Sequence, residues 1–187
     1  MVKEMVISVI DELDVRIDRT RVGLIYWSNN AFVGFNMIDY GQVKQDVVEA
    51  IRRIPFLDDA THTAAALHLV HNTAFQRQNG DRDGVSNVAV VVSDGKSNVE
   101  AHLTPVEAAT CRMNDIRLVV AVIYDEYTDI TELSTVASRP LSQNLFTSSM
   151  HSLLNNITMA VVGSTCDGTH LLVSRHSIFV YILCYQK

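Results

Sequence analysis

The stretch Asn87–Ser97, with the sequence NVAVVVSDGKS, decides the fold of this chain. Its five apolar residues, Val88 to Val92, follow one another without alternating polar residues. A strand that is apolar on both sides is buried on both faces, as the strands of parallel sheets are. The run ends at Ser93-Asp94-Gly95, where the glycine permits a sharp turn. The stretch therefore predicts an inner parallel strand that carries a carboxylate, Asp94, at its carboxyl end.

Asp94 has two interpretations at this position. In open α/β sheets, ligands bind outside the carboxyl ends of the strands. The Asp94 carboxylate either faces a metal ion there or caps the turn that follows the strand.

The rest of the chain alternates strands and helices. An α/β fold with a mostly parallel sheet and helices on both faces is expected from this alternation. Two strands joined by Asn29-Asn30 predict a hairpin, and hence one antiparallel edge strand. The expected helices are 1–13, 42–54, 61–78, one opened by Thr104-Pro105 with Thr104 as N-cap, 130–138 and about 149–157, and the other expected strands are 21–28, 31–37, 116–124 and 145–147.

Composition excludes several classes of protein. The chain has 187 residues, of which 48% are hydrophobic and 19% charged, so it suits one globular domain. Its net charge of −6 argues against a nucleic-acid partner. Acidic residues within the apolar run at 1–13 argue against a signal peptide, and no stretch reaches the 18 or so apolar residues of a membrane span.

Motifs of enzymatic chemistry are sparse. The sequence contains no G-x-G-x-x-G, no Walker A loop and no G-x-S-x-G. His68 and His71 are spaced to share one helix face, but no acid lies in helical register to complete a metal site. We therefore expect these two residues and His62 to be surface or partly buried histidines.

Two threonines precede the Ala-rich helix at 61–78. Thr61 and Thr63 either cap the start of this helix or supply hydroxyl ligands beside Asp94, and both roles are compatible. Asp58-Asp59 just before them is either a metal-proximal pair or part of a solvated loop.

Three segments of the sequence carry a family resemblance. Residues 18–28 (DRTRVGLIYWS), 60–67 (ATHTAAAL) and 90–97 (VVVSDGKS) resemble a von Willebrand factor type A domain of the matrilin and non-fibrillar collagen kind. The resemblance implies a Rossmann-like three-layer sandwich and a metal-ion-dependent adhesion site for Mg²⁺ or Mn²⁺. By position, Thr61 and Asp94 match the family's Thr and Asp ligands.

The chain departs from the family at its amino terminus. In the family, a first strand with the ligand motif D-x-S-x-S precedes the first helix, whereas here that helix begins at Met1. The missing strand would lie between the strands at 21–28 and 88–92. We therefore expect an amino-terminally truncated domain with an incomplete site, Thr61 and Asp94, and weak cation binding.

The resemblance covers residues 1–166 and leaves 167–187 as an apolar tail. Cys166 stands where many matrix domains of this family carry a closing cysteine, and Cys111 and Cys184 form no CxxC pair with it. The tail segment 177–185 is β-branched and aromatic, as buried strands are. It either pairs with the sheet, in the vacant slot or at an edge, or never pairs.

The main functional hypothesis is a protein-binding adhesion or extracellular-matrix module that is not an enzyme. Its expected partners are matrix or cell-surface proteins, collagen among them, and its expected location is extracellular. One alternative is a metal-free structural or assembly domain, or a non-functional fragment. A nucleotide-binding or hydrolytic α/β enzyme is a third hypothesis. Asn156-Ile157-Thr158 is a glycosylation sequon that a secreted parent chain would use.

Overall fold

The computed structural model describes residues 2–55, 57, 60–93, 95–123, 129–148, 156–157, 159–160 and 176–183, the last range and Ser148 for their backbone only. In chain order the elements are α1 (Val2–Asp11), β1 (Arg21–Trp27), β2 (Ala31–Phe35), α2 (Lys44–Arg53), α3 (Thr63–Leu69), β3 (Ser86–Ser93), α4 (Thr104–Met113), β4 (Ile116–Ile123), α5 (Thr131–Val136), β5 (Leu145–Ser148) and β6 (His176–Leu183).

These strands form one six-stranded sheet in the order β2-β1-β6-β3-β4-β5. Only the β1–β2 pair is antiparallel, and it is the predicted hairpin. Each of the other neighbouring pairs is parallel. The expected mostly parallel sheet with one antiparallel edge strand is confirmed.

The residues of β3 alternate between two hydrophobic cores. Val88, Val90 and Val92 pack in a core with α1 and α2. Ala89 and Val91 pack in a second core with α3, α4 and α5. The strand lacks polar alternation because helices cover the sheet on both sides, which is the expected three-layer arrangement.

β6 occupies the position between β1 and β3. Its residues His176 to Leu183 run parallel to both neighbours, with Val180 opposite Leu24 on one side and Val90 on the other. This is the position expected for the first strand of the family's sheet. Of the two interpretations of the tail, the structure contains the one in which the tail pairs with the sheet.

The predicted helix 61–78 is wrong in length. α3 ends at Leu69 and continues as one π turn, Val70–Ala74, closed by a hydrogen bond from Phe75 N to Val70 O of 3.4 Å. The wide turn places Val70, Ala74 and Phe75 together in the second core, and this burial favours it over a regular α-helix. Gly80, at φ +103, then ends the 3₁₀ turn Arg77–Asn79.

The predicted capping roles of the threonines are also wrong. α3 has His62 at its N-cap position and α4 has Leu103, and neither helix start carries a side-chain capping hydrogen bond. Thr63 and Thr104 are instead the first helical residues, and both are fully buried. The Thr104 hydroxyl instead lies 3.3 Å from Ser97 Oγ.

Most of the expected last helix, about 149–157, lies outside the described residues. Asn156, Ile157, Met159 and Ala160 are helical, and Asn156 is exposed. Among the described helices, none has the length and apolar character needed to cross a bilayer.

Candidate functional site

Thr61 lies at the carboxyl edge of the sheet. His62 N donates to the carbonyl oxygen of Ser28, the residue after β1, at 2.8 Å. The backbone of Thr61 is bound to the loop that follows β3, as Asn98 N and Val99 N donate to Thr61 O at 3.0 and 3.2 Å. Thr61 N in turn donates to Asn98 Oδ1 at 2.7 Å, so these two residues are hydrogen-bonded in both directions. Thr61 is therefore fixed between the ends of β1 and β3.

The loop after β3 begins with a side-chain turn. The Ser93 hydroxyl donates to Gly95 O at 2.7 Å and accepts from Gly95 N at 3.2 Å, so it bridges the position of Asp94 in the chain. Asp94 itself, like Asp58 and Asp59, lies outside the described residues. The expected closeness of Asp94 and Thr61 therefore stays a prediction.

Three buried hydroxyls lie next to this loop. Ser97 Oγ accepts from Thr63 N at 3.3 Å and lies 3.3 Å from Thr104 Oγ1. Thr63 Oγ1 is buried and has no hydrogen-bond partner among the described residues. Ser97 lies in the family-like segment 90–97, but Thr104 was predicted only as a cap, so the sequence did not reveal this cluster.

Two acids from the region after β4 approach the same loop. Glu132 Oε2 accepts from Ser97 N at 2.9 Å, while its buried Oε1 has no partner among the described residues. Asp129 pairs with Lys96 at 3.2 Å. A hydrogen bond from Thr131 N, with help from Lys96, lowers the pKa of Asp129 to about 2. Neither acid carries a motif that would have identified it in the sequence.

The potential metal ligands at this edge are hydroxyl and carboxylate oxygens. Oxygen ligands of this kind suit hard cations such as Mg²⁺. Thr63 Oγ1 and Glu132 Oε1 are buried and have no hydrogen-bond partner among the described residues. Both oxygens are therefore available as further ligands for such a cation. The residues present are therefore compatible in chemistry with a divalent cation.

The side chains of all three histidines contact glutamates. His62 Nε2 lies 3.1 Å from Glu100, and its Nδ1 lies 3.2 Å from Asn29 O. No acid lies in helical register with His68 and His71, but Glu107 of α4 contacts both of them. The sequence could not show this acid because it comes from a different helix.

Comparison with known proteins identifies the family. The chain matches the von Willebrand factor type A domain over residues 1–160. It is 29% identical over 168 residues to the collagen alpha-4(VI) chain of Mus musculus, covering 89% of this chain and 7% of the relative. It is 25% identical over 178 residues to matrilin-3 of Mus musculus, covering 94% of this chain and 36% of the relative. The chain thus spans only a small part of these relatives.

A solved structure has the same fold. Proximal thread matrix protein 1 from the mussel byssus, in a form with a zinc-occupied MIDAS motif, superposes with a TM-score of 0.73 at 19% identity. The superposition covers 85% of this chain and 41% of that chain. The family match over most of the chain, together with the shared fold, shows that this protein belongs to the von Willebrand factor type A domain family.

Proposed function

We propose that this chain is a protein-binding adhesion module of the extracellular matrix, and that it binds its partner at the carboxyl edge around Thr61 and Asp94. The related proteins are a collagen chain and a matrilin, both matrix proteins by name. We propose an extracellular location for the present chain as well, with matrix or cell-surface proteins, collagen among them, as its partners. No catalytic role is proposed for it.

The placement of Thr61 is the observation that carries the proposal. Thr61 is 5% exposed, does not occupy the N-cap position of α3, and is bound through its backbone to the loop after β3. A threonine that caps no helix but is fixed at the ligand-binding edge of a parallel sheet is suited to a binding role. Asp94 belongs to the same loop in the sequence.

We further propose that cations contribute little to binding by this chain. β6 takes the position expected for the family's first strand, between β1 and β3. The D-x-S-x-S motif that supplies the family's other ligands does not occur in the given sequence. Mg²⁺ or Mn²⁺ would be held by Thr61 and Asp94 with water at the other positions, which gives weak affinity.

A surface plasmon resonance experiment on immobilised fibrillar collagen tests the proposal. Asp94→Asn and Thr61→Val should each weaken binding at least tenfold, because both change the proposed contact edge. Asp115→Asn is the matched control for the acid, since Asp115 is exposed and directly precedes β4 at the opposite edge. Thr110→Val is the control for the threonine, since its hydroxyl bonds only to Val106 O within α4.

Both controls should bind as the unchanged chain does. Equal binding by all five proteins, or no binding by the unchanged chain, would contradict the collagen proposal. Repeating the surface plasmon resonance measurement in EDTA shows whether binding depends on a cation. Binding that survives chelation supports the proposal that cations contribute little, and binding that is lost contradicts it.

A further inference from the structure

Two histidines and one glutamate converge between α3 and α4. His71 Nε2 lies 2.6 Å from Glu107 Oε2, and His68 Nδ1 lies 3.3 Å from the same oxygen. The two imidazole rings meet edge to face with centroids 5.2 Å apart. One potential ligand atom from each of the three residues lies within 4.8 Å of the others.

We propose that His68, His71 and Glu107 form a Zn²⁺ site that shares no residue with the carboxyl-edge site of Thr61 and Asp94. Two imidazole nitrogens and one carboxylate oxygen are a donor set that zinc uses when it keeps a fourth position open. Imidazole favours zinc and its transition-metal neighbours over Mg²⁺, which prefers oxygen ligands. This donor chemistry differs from the oxygen donors around Thr61.

Small side-chain movements would bring the three ligands to zinc distances. Tetrahedral bonds of about 2.0–2.2 Å place ligand atoms roughly 3.3–3.5 Å apart. The His68–Glu107 separation is already 3.3 Å, and the His71–Glu107 contact has to lengthen from 2.6 Å. The His68 side chain is 55% exposed and can adjust, while the 9% exposed His71 supplies the fixed ligand.

Asn72 supplies a contact behind one ligand. Its side-chain amide lies 2.7 Å from His68 Nε2. When Nδ1 of His68 binds a metal, Nε2 carries the proton, and the Asn72 amide oxygen can accept it after rotation of the amide group. Such a partner fixes the orientation of a metal-binding imidazole.

A groove gives the site access to solvent. Its volume is about 440 Å³, and His68 and Glu107 line it together with His62 and Glu100. The fourth zinc position is therefore open to water, or to a donor group of a bound molecule. Without metal, the same three residues would be a hydrogen-bonded His-Glu-His cluster. Zinc titration distinguishes a zinc site from such a cluster.

Isothermal titration of the full chain with Zn²⁺, paired with the visible spectrum of the Co²⁺-loaded chain, tests the site. We expect one equivalent of Zn²⁺ to bind, and Co²⁺ to give the intense absorption of a tetrahedral site. His68→Gln and Glu107→Gln should each weaken Zn²⁺ binding at least tenfold and reduce that absorption. Bound Zn²⁺ should also raise the melting temperature, because it binds only the folded chain tightly.

Exposed residues outside the cluster provide matched controls. His102→Gln and Glu4→Gln change one exposed side chain each and should leave Zn²⁺ binding unchanged. Asp94→Asn should also leave it unchanged, which separates this site from the proposed adhesion edge. Melting curves in EDTA establish that His68→Gln, at an exposed position, keeps the fold. The proposal is overturned if Zn²⁺ does not bind, or if it binds the His68 and Glu107 variants as tightly as the unchanged chain.

Discussion

At the scale of single residues, Gln42 takes the place of a neighbouring strand. β2 ends at Phe35 opposite Leu24, so Val22 lies beyond its reach. Gln42 Oε1 accepts from Val22 N at 2.6 Å, and Gln42 Nε2 donates to Val22 O at 3.1 Å. The amide side chain thus makes the pair of bonds that a strand backbone would make, at a site where Gln42 is 1% exposed.

We expect Gln42→Ala to destabilise the fold by about 1–3 kcal/mol, because it leaves buried polar groups of Val22 without partners. Urea unfolding measures the change. Gln45→Ala, at an exposed position of α2, is the control and should change stability by less than about 0.5 kcal/mol. An equal effect of both substitutions would show that the Gln42 side chain does not serve β1.

Cys111 is the free cysteine among the described residues, and we expect its thiol to be unreactive in the folded state. It is fully buried, and burial, with a smaller contribution from Glu107, raises its pKa to about 12. At pH 8 we expect iodoacetamide to leave Cys111 unmodified in the native chain and to modify it in urea, as peptide mass mapping would detect. Native modification at the rate of the unfolded chain would contradict the burial of this thiol.

The same raised pKa makes stability depend on pH in the alkaline range. The unfolded chain loses the Cys111 proton near the ordinary thiol pKa of about 8.5, while the folded chain retains it up to about 12. The contribution of Cys111 to the free energy of unfolding is therefore fully present below about pH 8.5. Above that pH it declines by at most about 1.4 kcal/mol per pH unit. Between pH 8 and 10, the free energy of unfolding of Cys111→Ala should decline less steeply than that of the unchanged chain. Parallel declines would show that Cys111 does not cause this pH dependence.

The role of a single residue could be predicted from the sequence only where its partners lie close to it along the chain. Thr61 and the segment 90–97 could be proposed as site residues because a family-like motif lies within a few consecutive residues. Glu107 and Glu132 were missed because their partners are distant in sequence: Glu107 meets the histidines only when α3 and α4 pack, and Glu132 meets Ser97 only when α5 packs beside the loop after β3. Thr104 was predicted as a cap because Thr-Pro is a common helix start, but burial against Ser97 took precedence.

At the scale of elements, β6 completes the sheet. It pairs in parallel with β1 and β3 over almost its whole length. Without it, two inner strands would each expose an unpaired edge, and unmade buried hydrogen bonds cost about 1–3 kcal/mol each. Several such bonds amount to the whole stability of a typical domain, about 5–15 kcal/mol.

Deletion of residues 171–187 should therefore abolish the cooperative melting transition or cause aggregation. Deletion of residues 184–187 alone, which follow β6, is the matched control and should keep the transition. Circular dichroism during heating, with light scattering, reports both outcomes. If the longer deletion melts as the full chain does, the tail does not complete the sheet.

The elements themselves were predictable where a single pattern dominated. β3 and β4 were found from unbroken apolar runs, which only a sheet covered on both faces explains. The helix at 61–78 was predicted too long because its composition stays helical to Gln78, whereas the burial of Val70, Ala74 and Phe75 opens a π turn. The place of β6 could not be decided from sequence, because an apolar strand-like run does not specify its neighbours.

At the scale of the whole molecule, helices cover both faces of the sheet, and the proposed binding site lies at its carboxyl edge. The ends of β1 and β3, the bridge between Thr61 and Asn98, and Glu132 all meet at that edge. In related proteins, such a domain is one part of a much longer chain. This arrangement fits a module that presents one edge to a partner, with the proposed zinc site set apart between α3 and α4.

Paramagnetic broadening of ¹⁵N-labelled chain by Mn²⁺ tests most directly whether Thr61 and Asp94 form one binding edge, because it detects weak binding. We predict that Mn²⁺ broadens the amide signals of Thr61, Asn98 and Val99 but not that of Asp115. This broadening should disappear in Asp94→Asn and persist in Asp115→Asn. Broadening that spares Thr61, Asn98 and Val99, or that survives Asp94→Asn unchanged, would contradict the account.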